Sequence, residues 1–182
     1  MTDELSPATR LLLDRREIRD CVHRYARGLD RHDDALLASA FHPDAIDNHG
    51  DFVGRRAEFV RWANHQVHEP LILHNHHITT HRAEIDGDVA HGETYVIFIL
   101  RHKDGKTVRV GFGRYVDRFE RRDGEWRIAL RQIATDLRLV ADGSLFETED
   151  GYYHGTWDRS DISYDDASGV PADLAARKEK TQ

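Results

Sequence analysis

The chain of 182 residues has a formal net charge of −7, with 26 Lys and Arg against 33 Asp and Glu. This length suits one domain with its own core, and without a basic stripe a nucleic acid is not expected as partner. The longest apolar run, residues 96–100, is too short to cross a bilayer, and the polar N-terminus is unlike a secretory signal. A single cysteine, Cys21, excludes an internal disulfide and fits a reducing compartment. We therefore expect a cytoplasmic protein with no membrane association.

Three helices are predicted in the first seventy residues. The first covers about residues 7–29, because apolar residues recur there at three-to-four spacing, as in a helix with one buried face. A short second helix is expected over residues 33–41, ending before Pro43. The third helix covers residues 54–69 and is ended by Pro70.

Beyond Pro70 the hydrophobic period changes to two, which is the period of a strand. Asp-Gly turn signals separate segments rich in Val, Ile, Phe, Tyr and Thr, and such a turn between alternating segments predicts a hairpin. The predicted strands are residues 71–85, 89–102, 107–121 and 125–140. Helices followed by an antiparallel meander predict an α+β fold. Because long twisted strands curl, the helices packed on one side should leave a cone whose mouth can hold a small molecule.

The C-terminal part of the sequence is not periodic. Residues 141–169 are rich in Asp, Gly, Ser and Tyr and are expected to form an arm laid over the sheet, where it could cap the cone or seal a subunit interface. Residues 170–182 are expected to be a flexible tail. We therefore predict a single domain over residues 1–169, with the arm beginning at about residue 141.

The segment LHNHHITTH, residues 73–81, contains four histidines. Alternation along a strand places His74 and His76 on one face and His77 and His81 on the other. Three interpretations remain open: a metal site, a catalytic base or a polar strand. A metal site would need a third ligand, and the glutamate that a cupin would supply is replaced by Thr80 and His81. We favour His76 as a base facing the cavity, and interpret His77 and His81 as incidental to chemistry.

A histidine base needs a carboxylate that fixes its tautomer and stabilises the imidazolium that forms. The candidate is Asp30, at the end of the first predicted helix. The alternative interpretation is a solvated acid or a cap for the next helix.

Three stretches resemble the SnoaL-like group of the nuclear-transport-factor-two-like superfamily, and the similarity runs from about Leu12 to Asp136. The stretches are RYARGLDRHDDALLASAFHPDA, HHITTHRAEIDGDVAHGETY and GRYVDRFERRDGEWRIALRQ. The resemblance implies a cone-shaped α+β barrel. The members most similar in arrangement are cofactor-free lyases with an Asp–His dyad: scytalone dehydratase, hexachlorocyclohexane dehydrochlorinase and bile-acid 7α-dehydratase.

The resemblance also implies roles for particular residues. Asp30 and His76 would form the dyad, while Tyr25 or Arg131 would assist a departing oxygen or stabilise developing negative charge. Tyr25 could instead be a core tyrosine, and Arg131 a solvated strand residue. The predicted substrate contacts are Tyr95, Tyr115, His74 and Trp62.

The leading hypothesis is a cofactor-independent lyase that dehydrates a hydroxylated aromatic or polycyclic small molecule, in keeping with aromatic catabolism. No dinucleotide fingerprint, phosphate-binding loop or cysteine cluster occurs, so no cofactor and no metal are predicted. The alternatives are a formaldehyde-releasing carbon–carbon lyase acting on a lignin-derived diol, an isomerase, a non-catalytic ligand-binding scaffold, or a metal enzyme using His74 and His76. A homo-oligomer is expected, and the resemblance favours a trimer over a dimer.

Overall fold

The computed structural model describes residues 5–145 and 152–164. Helix α1 spans Pro7–Asp30 and begins at Ser6, whose hydroxyl accepts a hydrogen bond from the Thr9 amide at 3.1 Å. Its apolar face is buried from Ile18 onward and includes Ile18, Cys21, Val22, Tyr25 and Leu29, whereas Leu11, on the same predicted face, is 39% exposed. The helix ends one residue later than predicted, so that Asp30 occupies its last position.

Helix α2 spans Asp34–Ser39 and is capped by Asp33, whose carboxylate accepts from the Leu36 amide at 2.9 Å. The prediction that this helix reaches residue 41 was wrong, because strand β1 begins there and spans Phe41–Asn48. Pro43 obscured this strand in the sequence, since a proline cannot donate to a sheet. The structure accommodates Pro43 in the irregular stretch where the pairing register of β1 shifts, between Phe41 and Ile46.

Gly28 lets α2 approach α1 closely. A Cβ atom at this position would lie 2.6 Å from both the backbone nitrogen and the Cα of Leu37. We expect Gly28→Ala to lower the free energy of unfolding by about 1–3 kcal/mol through overpacking, measured by urea denaturation. In an exposed helix the same change stabilises by about 1 kcal/mol, so an unchanged or raised value would contradict the close approach.

The third predicted helix is shorter and less regular than expected. Residues 53–55 form strand β2, Val53–Arg55, which pairs with β1, so helix α3 spans only Arg56–Arg61. A π-helical turn follows over Trp62–Val67 and ends at His68. The predicted single helix over residues 54–69 was therefore wrong at its start and in its second half. Phe59 of α3 and Ala63 of the π-helical turn are buried.

The four predicted strands are all present. They are β3 (Leu71–Asp86), β4 (Val89–His102), β5 (Thr107–Arg122) and β6 (Glu125–Asp142). The six-stranded sheet has the order β2-β1-β6-β5-β4-β3, with β1 parallel to β6 and every other pair antiparallel. The predicted α+β class is confirmed; the sheet is mixed because β1 joins it in parallel.

The chain divides into two compact units, Met1–Glu147 and Thr148–Gln182. The second unit begins beyond the end of β6 at Asp142, and the predicted single domain with an arm from about residue 141 stays a prediction. Within the described part of the second unit, the buried carboxylate of Asp161 accepts from the amides of Thr156 and Ser163 at 2.9 and 3.0 Å. The predicted tail, residues 170–182, lies outside the described residues. None of the described helices is long and apolar enough to span a membrane.

Candidate active site

A cavity of about 300 Å³ lies in the first unit, between the helical segments and the sheet. Its apolar wall includes Leu29, Phe59, Val96, Phe98, Leu100 and Ile133. Its polar and aromatic wall includes His49, Trp62, His68, His74, His76 and Tyr115. This mixture of an apolar lining with a few convergent polar groups is typical of a small-molecule site.

Asp30 and His76 lie in contact at this cavity. Nδ1 of His76 is 2.7 Å from Oδ1 of Asp30, and the backbone amide of His76 donates to both carboxylate oxygens at 3.1 and 3.0 Å. Because an ionised carboxylate only accepts, Nδ1 carries the proton and Nε2 is left as the basic nitrogen. Asp33, not Asp30, caps the following helix. Asp30 is thus in the arrangement that a dyad requires.

His74 belongs to a second histidine group beside His76. Its ring centroid lies 4.2 Å from that of His76, and its Nδ1 hydrogen-bonds to Nε2 of His68. His68 in turn stacks on His32, with centroids 4.3 Å apart. Burial lowers the pKa of His74 well below its ordinary value, and burial together with His32 lowers the pKa of His68 to about 3. His74 and His68 are therefore neutral at neutral pH.

Burial of a neutral His68 should make folding pH-dependent. Its folded pKa lies below the unfolded value of about 6.5, so the unfolded chain binds more protons between the two values. Stability should therefore fall as the pH drops from about 6.5 toward 3, by up to roughly 1 kcal/mol per pH unit for this histidine. We expect His68→Gln to make that decline shallower, measured as the free energy of unfolding at several pH values. The exposed His91→Gln is the control, and equal slopes for the wild type and His68→Gln would contradict the expectation.

Asp30, His74 and His76 also form a group that could hold a metal ion. One ligand atom from each lies within 4.8 Å of the others, and this is the one such group found among residues 5–145 and 152–164. In this group Asp30 would be the third ligand. Thr80 and His81, which occupy the positions where a cupin would supply a glutamate, do not belong to it. A metal bound through Nδ1 of His76 would have to break its hydrogen bond to Asp30.

Tyr25 and Arg131 are fully buried, and neither is among the residues that line the cavity. The Arg131 guanidinium is 4.0 Å from the ring centre of Tyr25 and 4.1 Å from that of Tyr115, and it pairs with Asp117 through two hydrogen bonds of 2.8 and 2.7 Å. Although burial alone would lower the pKa of Arg131, the Asp117 carboxylate raises it above its ordinary value. Arg131 is fully buried, so the interpretation as a solvated strand residue was wrong. It does not line the cavity as described.

Three of the four predicted substrate contacts line the cavity: Tyr115, His74 and Trp62. Tyr95 does not, and its side chain is 43% exposed with the Arg114 guanidinium 5.8 Å from its ring centre. The physical reason is strand alternation: Val96 and Phe98 of β4 line the cavity, so Tyr95 points to the opposite face.

A bulge in β3 changes the face of His81. Ile78 pairs with Val96 and His81 with Thr94, so residues 79 and 80 together oppose Tyr95. The extra residue brings His81 to the inner face, where Nδ1 lies 2.8 Å from the Thr94 hydroxyl. The prediction that His81 shares a face with His77 was therefore wrong. His77 is exposed.

Sequence reasoning missed a pair at the end of β1, formed by Asp47 on the strand and His49 just after it. Asp47 is fully buried and its carboxylate hydrogen-bonds to Nδ1 of His49, which lines the cavity. The pair went unnoticed because β1 itself was not predicted. The available signal was the Asp-x-His spacing, which places both side chains on one face of a strand.

Comparison with known proteins identifies the fold. The profile of the SnoaL-like domain matches residues 10–132. Hexachlorocyclohexane dehydrochlorinase LinA-type3 from Novosphingobium barchaimii LL02 has a TM-score of 0.70 and 22% identity, covering 76% of this chain and 97% of that chain. A proposed scytalone dehydratase from Novosphingobium aromaticivorans DSM 12444 has a TM-score of 0.64 and 19% identity, covering 76% and 97%. At these identities the two neighbours show the fold alone.

A third neighbour is a Mycobacterium tuberculosis protein of unknown function. It has a TM-score of 0.63 and 28% identity, covering 72% of this chain and 76% of that chain. No functionally curated protein matches the sequence. Because the matched profile spans well over half of the chain and the neighbours share its architecture, this protein belongs to the SnoaL-like family, within the nuclear-transport-factor-two-like superfamily.

Proposed function

We propose that this protein is a cofactor-independent lyase that eliminates water from a hydroxylated aromatic small molecule. The observation that carries the proposal is the 2.7 Å hydrogen bond between His76 Nδ1 and Asp30 in the wall of an apolar cavity. The side chains of His76 and Asp30 are only 7% and 16% exposed, so little water competes for this contact. Carbon–carbon cleavage of an aromatic diol is the second candidate, because it needs the same base.

In the proposed reaction His76 Nε2 removes a proton from carbon next to an activating carbonyl. Asp30 holds the ring in the correct tautomer and stabilises the imidazolium that forms. We propose that the Tyr115 hydroxyl donates to the oxygen that becomes negative. Tyr115 lines the cavity, and burial raises its pKa above the ordinary value, so the hydroxyl keeps its proton. Tyr25 and Arg131, which pack on Tyr115, are proposed as positioning residues.

The cavity wall supports an aromatic substrate of modest size. A volume of about 300 Å³ is at the lower end of the range for ligand pockets, which favours compounds with one or two rings over large polycyclic compounds. Arg109 and Arg138 also line the cavity and are exposed, so an anionic ring substituent would find positive charge there.

The test is a product screen with aldol adducts of acetone and benzaldehyde, including ring-hydroxylated and ring-carboxylated forms. Dehydration gives the conjugated enone, which absorbs in the near ultraviolet, whereas carbon–carbon cleavage returns the aldehyde and acetone. Aromatic diols are included to detect formaldehyde. Enzyme-dependent enone formation is the expected result. Binding of these compounds without any product would instead support a non-catalytic ligand-binding scaffold.

A metal-dependent reaction is distinguished by chelation. We expect dialysis against EDTA to leave the elimination rate unchanged, because His76 accepts the proton directly in the proposed reaction. Loss of activity that returns with zinc or iron would contradict the proposal. It would support a metal centre on Asp30, His74 and His76, whose ligand atoms are close enough together.

We also propose a homo-oligomer, with a trimer favoured over a dimer. Several large apolar side chains of the sheet are exposed, which supports association: Phe112, Val116, Leu137, Leu139 and Val140. Light scattering of the purified protein measures the number of subunits. A cytoplasmic location remains a proposal, supported by the single cysteine.

A further inference from the structure

A second Asp–His pair lies at the end of β1, where His49, the residue after the strand, lines the same cavity. Nδ1 of His49 hydrogen-bonds to Oδ1 of Asp47, and the His49 side chain is 20% exposed whereas that of Asp47 is 1% exposed. The ring of His49 stacks on Phe59, with centroids 5.0 Å apart, and lies 5.5 Å from that of Trp62. His49 is therefore held from two sides with its ring at the cavity wall.

Tyr25 lies between the two pairs. Its hydroxyl is 3.2 Å from Nε2 of His49, and its ring centre is 6.2 Å from that of His76 in an edge-on arrangement. The imidazoles of His49 and His76 thus line one cavity with a single tyrosine ring between them. Two groups able to exchange protons therefore line the same cavity.

The carboxylates of Asp30 and Asp47 differ in their hydrogen-bond partners. Asp30 accepts from the backbone amide of His76 as well as from its ring. The Asp47 carboxylate has only His49 as a hydrogen-bond partner among residues 5–145 and 152–164, and its buried Oδ2 has none there. An unshared buried carboxylate is costly unless a positive charge lies beside it. Because Nδ1 of His49 lies against this carboxylate, Asp47 is able to hold the His49 ring while Nε2 gives up a proton.

We propose that His49 is the general acid of the elimination and that Asp47 is its positioning residue. The inference rests on the proposed lyase function and adds the group that releases the leaving oxygen. Hydroxide is a poor leaving group, so dehydration needs an acid as well as a base. Two titratable groups that line one cavity, one acting as base and the other as acid, are the usual way in which an enzyme supplies both.

Two proton transfers accompany the loss of water. His76 Nε2 takes the proton from carbon, and the electrons of that C–H bond form the new double bond. The C–O bond breaks with its electrons on oxygen, which receives the proton from His49 Nε2 and leaves as water. In the free protein Nε2 of His49 faces the Tyr25 hydroxyl, with which the leaving oxygen competes as acceptor. Exchange with solvent then returns a proton to His49 and removes one from His76.

The test compares two leaving groups on one skeleton: the aldol adduct that the enzyme dehydrates and its O-acetyl ester. Acetate departs without prior protonation, and both compounds give the same enone. We expect His49→Gln to lower kcat/KM for dehydration about 10²-fold or more while changing acetate elimination less than about threefold. Asp47→Asn, which keeps the ring in place, should act in the same direction and serves if His49→Gln fails to fold.

Two controls separate this inference from other causes. His65 pairs with Asp34 at 2.9 Å outside the cavity lining and is exposed, so His65→Gln should change neither rate. Equal loss of both rates in His49→Gln, or loss of neither, would overturn the role as acid. His76→Ala should abolish both eliminations, and its failure to do so would overturn the proposed function regardless of the His49 result.

Discussion

Replacing His76 by alanine is expected to lower kcat for elimination by about 10²–10⁴-fold, because it removes the group that accepts the proton from carbon. The side chain lies in the cavity wall and makes its ring contact to Asp30 at 2.7 Å. The change also empties space in the cavity, so substrate binding should weaken far less than the rate falls. Steady-state kinetics on a compound identified in the product screen gives both quantities.

Asp30→Asn tests the second residue of the proposed dyad and matches the His76→Ala variant. An asparagine can donate to Nδ1 and so stabilise the wrong tautomer, and it cannot stabilise an imidazolium. We expect it to approach the defect of His76→Ala and the double variant to be hardly slower than either single variant, because the two residues act as a unit. His77→Ala is the control, since His77 is exposed on the other face of β3. Additive losses in the double variant would contradict a dyad.

Asp117→Asn is expected to destabilise the fold by about 3–5 kcal/mol, because it leaves the Arg131 guanidinium buried without a counter-charge. Both side chains are 0% exposed, and the two hydrogen bonds between them are 2.8 and 2.7 Å long. No solvent can replace the lost partner at this depth. Urea denaturation, followed by tryptophan fluorescence and circular dichroism, measures the change in the free energy of unfolding.

Two further variants show how much of the loss in the free energy of unfolding comes from leaving a buried charge without a partner. Glu93→Gln breaks the Arg114–Glu93 pair, which has a similar 2.7 Å contact but side chains that are 32% and 45% exposed, and it should cost at most about 1 kcal/mol. The double change Asp117→Leu with Arg131→Met should recover much of the lost stability, because it removes both charges. A loss from Asp117→Asn no larger than that from Glu93→Gln would contradict the account of this pair.

The long helix and the long strands could be predicted from the sequence, because their hydrophobic residues follow one period and their ends are marked by turn-forming residues. Helix α1 and strands β3 to β6 begin and end within two residues of the predicted limits, because their apolar residues share one period and Asp-Gly turns separate the strands. Strands β1 and β2 were not predicted, since they are short, contain or follow turn-forming residues, and depend on pairing with distant strands. The π-helical turn after α3 likewise has no periodic signature in the sequence.

The candidate site was predictable only in part. Asp30, His74 and His76 come together as expected, because their positions follow from a helix end and strand alternation. His49 and Asp47 were missed together with β1, and His68 and His32 were missed because they lie where helical segments end. The inner position of His81 depends on a bulge that alternation cannot reveal, and the burial of Arg131 depends on Asp117 in the neighbouring strand.

In the proposed reaction His76 removes a carbon-bound proton with help from Asp30. The most direct test of this step is deuterium incorporation from heavy water, followed by proton NMR, into a ketone analogue of the substrate that lacks the leaving group. Wild-type protein is expected to exchange the hydrogen next to the carbonyl. His76→Ala and Asp30→Asn are expected to lose this exchange, whereas His49→Gln should retain it. Exchange by His76→Ala at the wild-type rate would contradict the account.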